Sequence, residues 1–283
     1  MKITVLGTAA ATGMPLAFCN CEICKNARKN GKKDIRKRSS ILINGEMLID
    51  LGPDSINACN MYNEDAGKIK YLLQTHSHSD HFDGGHFVTR WSDYATKNLI
   101  HLDIYCSKGT ALDINHWIKE NEPSLDLFNE SCKKNLNYDV HLVKHGDSFN
   151  VDDYKIIALD SQHDSRIESL FYIISYKGKN LLYATDVLKI TDESWNIIKK
   201  YKLDIVFLDQ TYGEGYNNGG HLDCGEVKKI VKYMYEEEIV NNNSKIYATH
   251  ISHEGNNIHE IMEKEASLYG YHIAYDGMQI NIF

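Results

Sequence analysis

The sequence predicts an α/β protein forming one compact domain over residues 1–283, with strand-rich halves covered by helices. Short apolar runs of strand character recur along the whole chain, and helical stretches are interspersed, mostly in the second half. No low-complexity linker or short-period repeat divides them, and there are only three prolines in 283 residues. At 42% hydrophobic and 25% charged, the composition supports an ordinary buried core.

Taken in order, KITVLG (2–7) reads as a strand and SSILINGEMLIDLG (39–52) as a hairpin, with Asn44-Gly45 as the turn dipeptide. KIKYLLQTH is a strand that ends on a histidine cluster. LDIYCS is another, followed by a helix over about 110–121. The segment YDVHLVKHGDSFNVDDYKIIALDSQHD alternates like half-buried antiparallel strands. SLFYIISYKGKNLLYATDV is a second hairpin, turning at Lys177 to Lys179. Beyond it come a helix near 192–201, the strand DIVFLD, a helix from about 223, the strand KIYATH, a helix from about 257 and a final strand, HIAYDGMQINIF. Asp223 with Glu226, and Asn257 with Glu260, have the spacing of capping boxes. Val227, Ile230, Val231 and Met234 then form the core face of the first of these helices.

Charge and cysteines limit the function. A net charge of -8 disfavours a long nucleic-acid footprint, and the basic run KNARKNGKKDIRKR (25–38) reads as a solvated loop. No apolar run approaches the roughly 20 residues of a membrane span. Seven cysteines, an odd number in a chain without a secretion signal, argue against a disulfide framework and for a cytoplasmic protein. Cys19, Cys21 and Cys24 in FCNCEIC are spaced to share one metal, but a tetrahedral site needs a fourth ligand. Cys59, Cys106, Cys132 and Cys224 read as buried or incidental.

QTHSHSDHFDGG (74–85) concentrates metal-liking chemistry: His76, His78, Asp80 and His81 lie within six positions. Thr75-His76, His163, Asp186 and His250 each follow an apolar strand-like run. Side chains at strand ends converge at one edge of a domain, which places the remaining ligands there.

THSHSDH, with QHD at His163, YATD at Asp186 and ATH at His250, resembles the ligand motifs of the metallo-beta-lactamase superfamily. Within it, GTAAATGMPLAFCNCEIC, RSSILI, LIDLGPD, HISH and AYDGM resemble the PhnP-type phosphodiesterases of the carbon-phosphorus lyase pathway, although GTAAATG has alanine where a glycine-richer turn is common. The resemblance implies an αββα sandwich of two mixed sheets flanked by helices. It implies that His76, His78 and His163 hold one divalent metal, Asp80, His81 and His250 a second, and that Asp186 bridges them, with Mn2+ or Zn2+ as the ions. It also implies a closed structural Zn2+ site of Cys19, Cys21, Cys24 and His253. His221, in NNGGHLDCGEV, and Asp80 are the catalytic residues it names.

The implied activity is hydrolysis of small phosphodiesters, cyclic ribose phosphates among them. A hydroxide between the metals attacks phosphorus and His221 protonates the leaving group. A small-molecule diester is then the partner, a homodimer is admitted, and no membrane or nucleic acid is expected. The alternatives are a transfer-RNA 3'-end nuclease or a lactone or thioester hydrolase on the same scaffold, and a non-catalytic PqqB-like binding protein. Asp50 reads equally as an orienting residue for the histidine loop or as a turn cap. Asp276 reads as a ligand-orienting residue or the start of a turn with Gly277; Arg38, Ser39 and Ser40 read as structural. His86, His101, His116, His141, His145, His259 and His272 show no ligand pattern.

Overall fold

A computed structural model describes residues 1–216 and 219–282; positions 217 and 218 of the glycine-rich loop, and 283 of the last predicted strand, lie outside the described residues. The strands are β1 (Lys2–Gly7), β2 (Ser40–Ile43), β3 (Met47–Ile49), β4 (Tyr71–Leu73), β5 (Leu102–Cys106), β6 (Tyr138–Leu142), β7 (Ser148–Val151), β8 (Tyr154–Asp160), β9 (Leu170–Tyr176), β10 (Lys179–Ala184), β11 (Ile205–Asp209), β12 (Lys245–Thr249), β13 (His272–Ile273) and β14 (Gln279–Asn281). The helices are α1 (Glu22–Asn30), α2 (Ser55–Met61), α3 (Gly84–Val88), α4 (Lys108–Asn121), α5 (Glu130–Leu136), α6 (Asp192–Ile198), α7 (Cys224–Glu236) and α8 (His259–Ser267). No described helix is long and apolar enough to cross a membrane.

The strands form two seven-stranded sheets, in the orders β14-β1-β2-β3-β4-β5-β6 and β13-β12-β11-β10-β9-β8-β7. Strand residues alternate between two apolar environments, which is why the sequence runs are continuous rather than half polar. In β8 to β11, Ile156, Tyr172, Tyr183 and Phe207 face the space between the sheets and meet Ile3, Ile41 and Ile49. Their neighbours Ile157, Phe171, Leu182 and Leu208 face outward onto Val227, Val231, Met234 and Met262 of α7 and α8. Leu42, Leu48, Leu72 and Ile104 of the first sheet likewise pack on Ala58, Phe87, Ala111 and Leu136. These layers are the α/β/β/α arrangement of a metallo-beta-lactamase sandwich, as expected.

Several local expectations need correction. The segment 138–160 is not one antiparallel set: β6 pairs parallel to β5 in the first sheet, and the chain crosses to the second sheet before β7. The final strand divides into β13, parallel to β12, and β14, antiparallel to β1. The basic run is not a solvated loop; α1 occupies much of it, and Arg36 is buried with hydrogen bonds to Thr8 Oγ1 (2.8 Å) and the Ala274 carbonyl (2.6 Å). The capping box at Asp223 and Glu226 is present. That at Asn257 is not: Ile258 is the cap residue of α8, and the Asp34 carboxylate accepts the His259 N–H at 2.6 Å instead.

Candidate metal centre

The strand ends at one edge of the sandwich carry the ligand candidates. The turn after β4 supplies His76, His78, Asp80 and His81; the loop after β8 supplies His163; Asp186 and His250 follow β10 and β12. Asp50 (φ 66°), Asp186 (φ 52°) and His250 (φ 61°) adopt left-handed backbone, a region that costs a non-glycine residue on the order of 1 kcal/mol and that Asp and His tolerate better than most. This strain turns the side chains over the sheet edge.

Two groups of donor atoms result, each gathered within 4.8 Å: His76, His78 and His163, and Asp80, His81, Asp186 and His250. In the first, His76 Nε2 and His163 Nε2 lie 3.0 and 3.3 Å from His78 Nδ1. In the second, Asp186 Oδ2 lies 2.9 Å from His81 Nε2 and 3.2 Å from His250 Nε2, and Asp80 Oδ2 is 3.1 Å from His81 Nε2. The other Asp186 oxygen faces the first group, 3.5 Å from His163 Nε2. One carboxylate thus presents an oxygen to each group.

The outward nitrogens are tied down. His81 Nδ1–H donates to Asp50 Oδ2 (2.7 Å), His163 Nδ1–H to the Gly220 carbonyl (2.7 Å), His250 Nδ1–H to Thr211 Oγ1 (2.7 Å) and His76 Nδ1–H to Thr75 Oγ1 (2.9 Å). Each leaves the other ring nitrogen as a lone pair aimed inward, the arrangement that orients imidazole ligands. Among the inward atoms, His81 Nε2, His250 Nε2 and Asp186 Oδ2 are buried without a hydrogen-bond partner. Buried polar atoms left so are costly unless something satisfies them, and a cation between them would. The donor set fits divalent metal.

Charge agrees with this fit. Burial holds the His76 imidazole well below its usual value and lowers His78, leaving both neutral and free to ligate. Burial opposes a charge on His81, but Asp186, Asp80 and Asp50 outweigh it and raise that imidazole well above its usual value, so a proton stands at His81 Nε2 where a cation would replace it; that charge and His250 in turn hold Asp80 and Asp186 well below the usual carboxylate range.

His221 stands beside the cluster, its ring centroid 4.5 Å from that of His163 and 5.1 Å from that of His250. Its Nδ1–H donates to Asp209 Oδ2 at 2.9 Å, and the other oxygen of Asp209 accepts from Thr211 Oγ1 at 2.8 Å. Burial opposes a charge on His221, yet Asp209 and then Asp186 and Asp80 overcome it, raising the imidazole to about 9. Asp209 was missed in the sequence, although it too ends an apolar strand and carried the same signal as Asp186. A cleft of about 1270 Å³ opens over His78, Asp80, His163, Asp186, His221 and His250.

Cys19, Cys21, Cys24 and His253 form a separate group, with His253 Nδ1 3.7 Å from Cys19 Sγ and 3.5 Å from Cys21 Sγ. Burial works against it, but the Cys24 N–H and His253 lower the Cys21 thiol to about 6, toward the thiolate that zinc requires. Asp50 proves to be an orienting residue: fully buried, it binds His81, the Thr75 N–H (2.8 Å) and Gln74 Nε2 (3.0 Å). Asp276 touches no ligand candidate and accepts from Thr8 Oγ1 and the Lys37 N–H, both at 2.7 Å. Arg38 pairs with Asp54 at 3.0 Å, and Ser39 and Ser40 hydrogen-bond backbone carbonyls. His145, expected to be incidental, lines the cleft.

Fold and site together define a metallo-beta-lactamase-type protein. The chain belongs to the beta-lactamase superfamily, whose domain model matches residues 46–277. Over its full length it is similar to the crystal structure of a new diphosphatase from the PhnP family, at 22% identity and a TM-score of 0.75, covering 98% of that chain. It is similar to Zn(2+)-bound PqqB from Methylobacterium extorquens, at 18% identity and a TM-score of 0.75, with all of both chains covered. Human tRNase Z, short form, matches at 18% identity and a TM-score of 0.67, again with all of both chains covered. These likenesses establish the fold. A stretch of 88 residues is 33% identical to octanoyltransferase of Porphyromonas gingivalis (strain ATCC BAA-308 / W83); it covers 30% of this chain and 17% of that protein's length.

Proposed function

We propose that the protein is a metal-dependent hydrolase of small phosphodiesters, cyclic ribose phosphates among them. His76, His78 and His163 hold one divalent cation, Mn2+ or Zn2+, and Asp80, His81 and His250 a second, with Asp186 shared; Cys19, Cys21, Cys24 and His253 hold a structural Zn2+. When bound, the paired cations supply Lewis-acid stabilisation of charge on the phosphoryl oxygens.

The observation that carries the reading is a proton donor fixed beside the cluster. With Nδ1–H committed to Asp209, His221 presents Nε2–H to the departing alkoxide oxygen, a poor leaving group unless protonated. Asp209 keeps the ring in that tautomer and balances its charge. Asp80 completes the second cation site, and Asp50 holds His81 in the tautomer that presents Nε2. The net charge of -8 favours a small diester over a long nucleic acid, and the odd number of cysteines suits the reducing cytoplasm.

Hydrolysis of bis(p-nitrophenyl) phosphate by the purified protein with manganese, against a chelator control, tests the proposal. Turnover abolished by chelator and restored by manganese is expected. A protein with both cation sites filled and no activity on this diester or on ribose cyclic phosphates refutes it.

A further inference from the structure

A second histidine-carboxylate constellation lies on β6, an edge strand of the first sheet, and its neighbour β5. These strands run parallel, with Asp103 opposite Asp139 and Tyr105 opposite His141. Alternation along a strand then places His101 and Asp103 on the same face as Asp139 and His141. His141 Nε2 lies 2.7 Å from Asp103 Oδ1, and His101 Nε2 lies 3.5 Å from that same oxygen and 3.5 Å from Asp139 Oδ2. The His141 ring is held by stacking on Tyr105, centroids 4.6 Å apart.

The tautomer of His101 shows what this arrangement lacks. Asn137 Nδ2 donates to the Leu99 carbonyl at 2.9 Å, which orients its Oδ1 toward His101 Nδ1, 3.0 Å away. His101 therefore donates from Nδ1, and in the neutral ring Nε2 is a lone pair facing two carboxylate oxygens. Three electron-rich atoms meeting in this way repel, and a cation among them, taking the place of the His141 Nε2–H that donates to Asp103 Oδ1 at 2.7 Å, would relieve this. Among the described residues, the other surface histidine-carboxylate contacts away from the cleft, His86 with Asp83, His116 with Glu120 and His272 with Glu263, each involve one acid and one imidazole.

We propose that His101, Asp103, Asp139 and His141 form a surface site for a first-row divalent cation of the zinc class, separate from the two clusters at the cleft. Two imidazoles with two carboxylates suit zinc, nickel or copper better than calcium or magnesium, which favour oxygen donors alone. The four side chains are between 25% and 52% exposed, so an ion reaches them without opening the fold. A bound ion would fasten the outermost strand to its neighbour.

The test is calorimetric titration of zinc into protein whose tight sites are already filled, at pH 7.5. One further equivalent is expected to bind the wild type and the His116→Ala control, and to be lost in His101→Ala/His141→Ala. Asp139→Asn, a milder change at an exposed position, should weaken binding without abolishing it. Absence of the further equivalent in the wild type overturns the proposal. So does its persistence in the double variant, or its loss in the control.

Discussion

Burial by itself would leave the His221 imidazole neutral, and the Asp209 carboxylate 2.9 Å away reverses that balance. Removing the charge while keeping the shape separates orientation from packing. Asp209→Asn is expected to lower kcat by about 10- to 100-fold, below the roughly 100- to 10,000-fold that a general acid contributes, because the donor remains but loses the carboxylate that orients and charges it. Steady-state kinetics at matched metal content check this, and an unchanged kcat removes Asp209 from the account. His259 offers a pH effect distant from the cleft. Burial, then Arg36 and Lys33, lower its imidazole from 6.5 to about 4, and its Nδ1 accepts from the Arg36 guanidinium at 3.0 Å. The folded state therefore resists a proton that the unfolded chain takes up below pH 6.5. This stabilisation is complete above that pH and declines as pH falls toward 4, by about 2 kcal/mol at pH 5. Urea unfolding of the wild type and His259→Gln at pH 7.5 and 5 should show the smaller drop in the variant; equal drops would exclude His259 as the source.

At the scale of elements, the ligand candidates were legible because metal chemistry uses few residue types and the strands deliver them at strand ends. The same logic covered Asp209, whose strand DIVFLD was recognised while its last residue was passed over. What sequence could not show depends on distant partners: the cap of α8 comes from Asp34, 225 residues away, and Arg36 is buried by groups contributed from the other end of the chain. Close backbone approach is equally hidden. A Cβ on Gly52 would lie 2.2 Å from the Asp80 carbonyl oxygen, so the segment after β3 presses on the ligand turn. Gly52→Ala should displace Asp80 and His81 and reduce bound metal at the paired site while sparing the cysteine site. Elemental analysis checks this, and full metal retention would show that the turn yields without harm.

Across the whole molecule, the sandwich was readable from continuous apolar runs, each serving two environments at once, but the crossings between sheets were not. The chain leaves the first sheet after β6 and returns at β14, and both events are set by which strand edge is free rather than by local pattern. The two halves meet at the cleft: His76 to His81 come from the first sheet, His163, Asp186, Asp209 and His250 from the second. We propose that this junction hydrolyses phosphodiesters with His221 as proton donor. Turnover of bis(p-nitrophenyl) phosphate by the wild type and His221→Ala, at equal metal content, tests it most directly. A loss of about 100- to 10,000-fold in rate with both cation sites still filled is expected; equal turnover by the two proteins would rule out His221 as the donor.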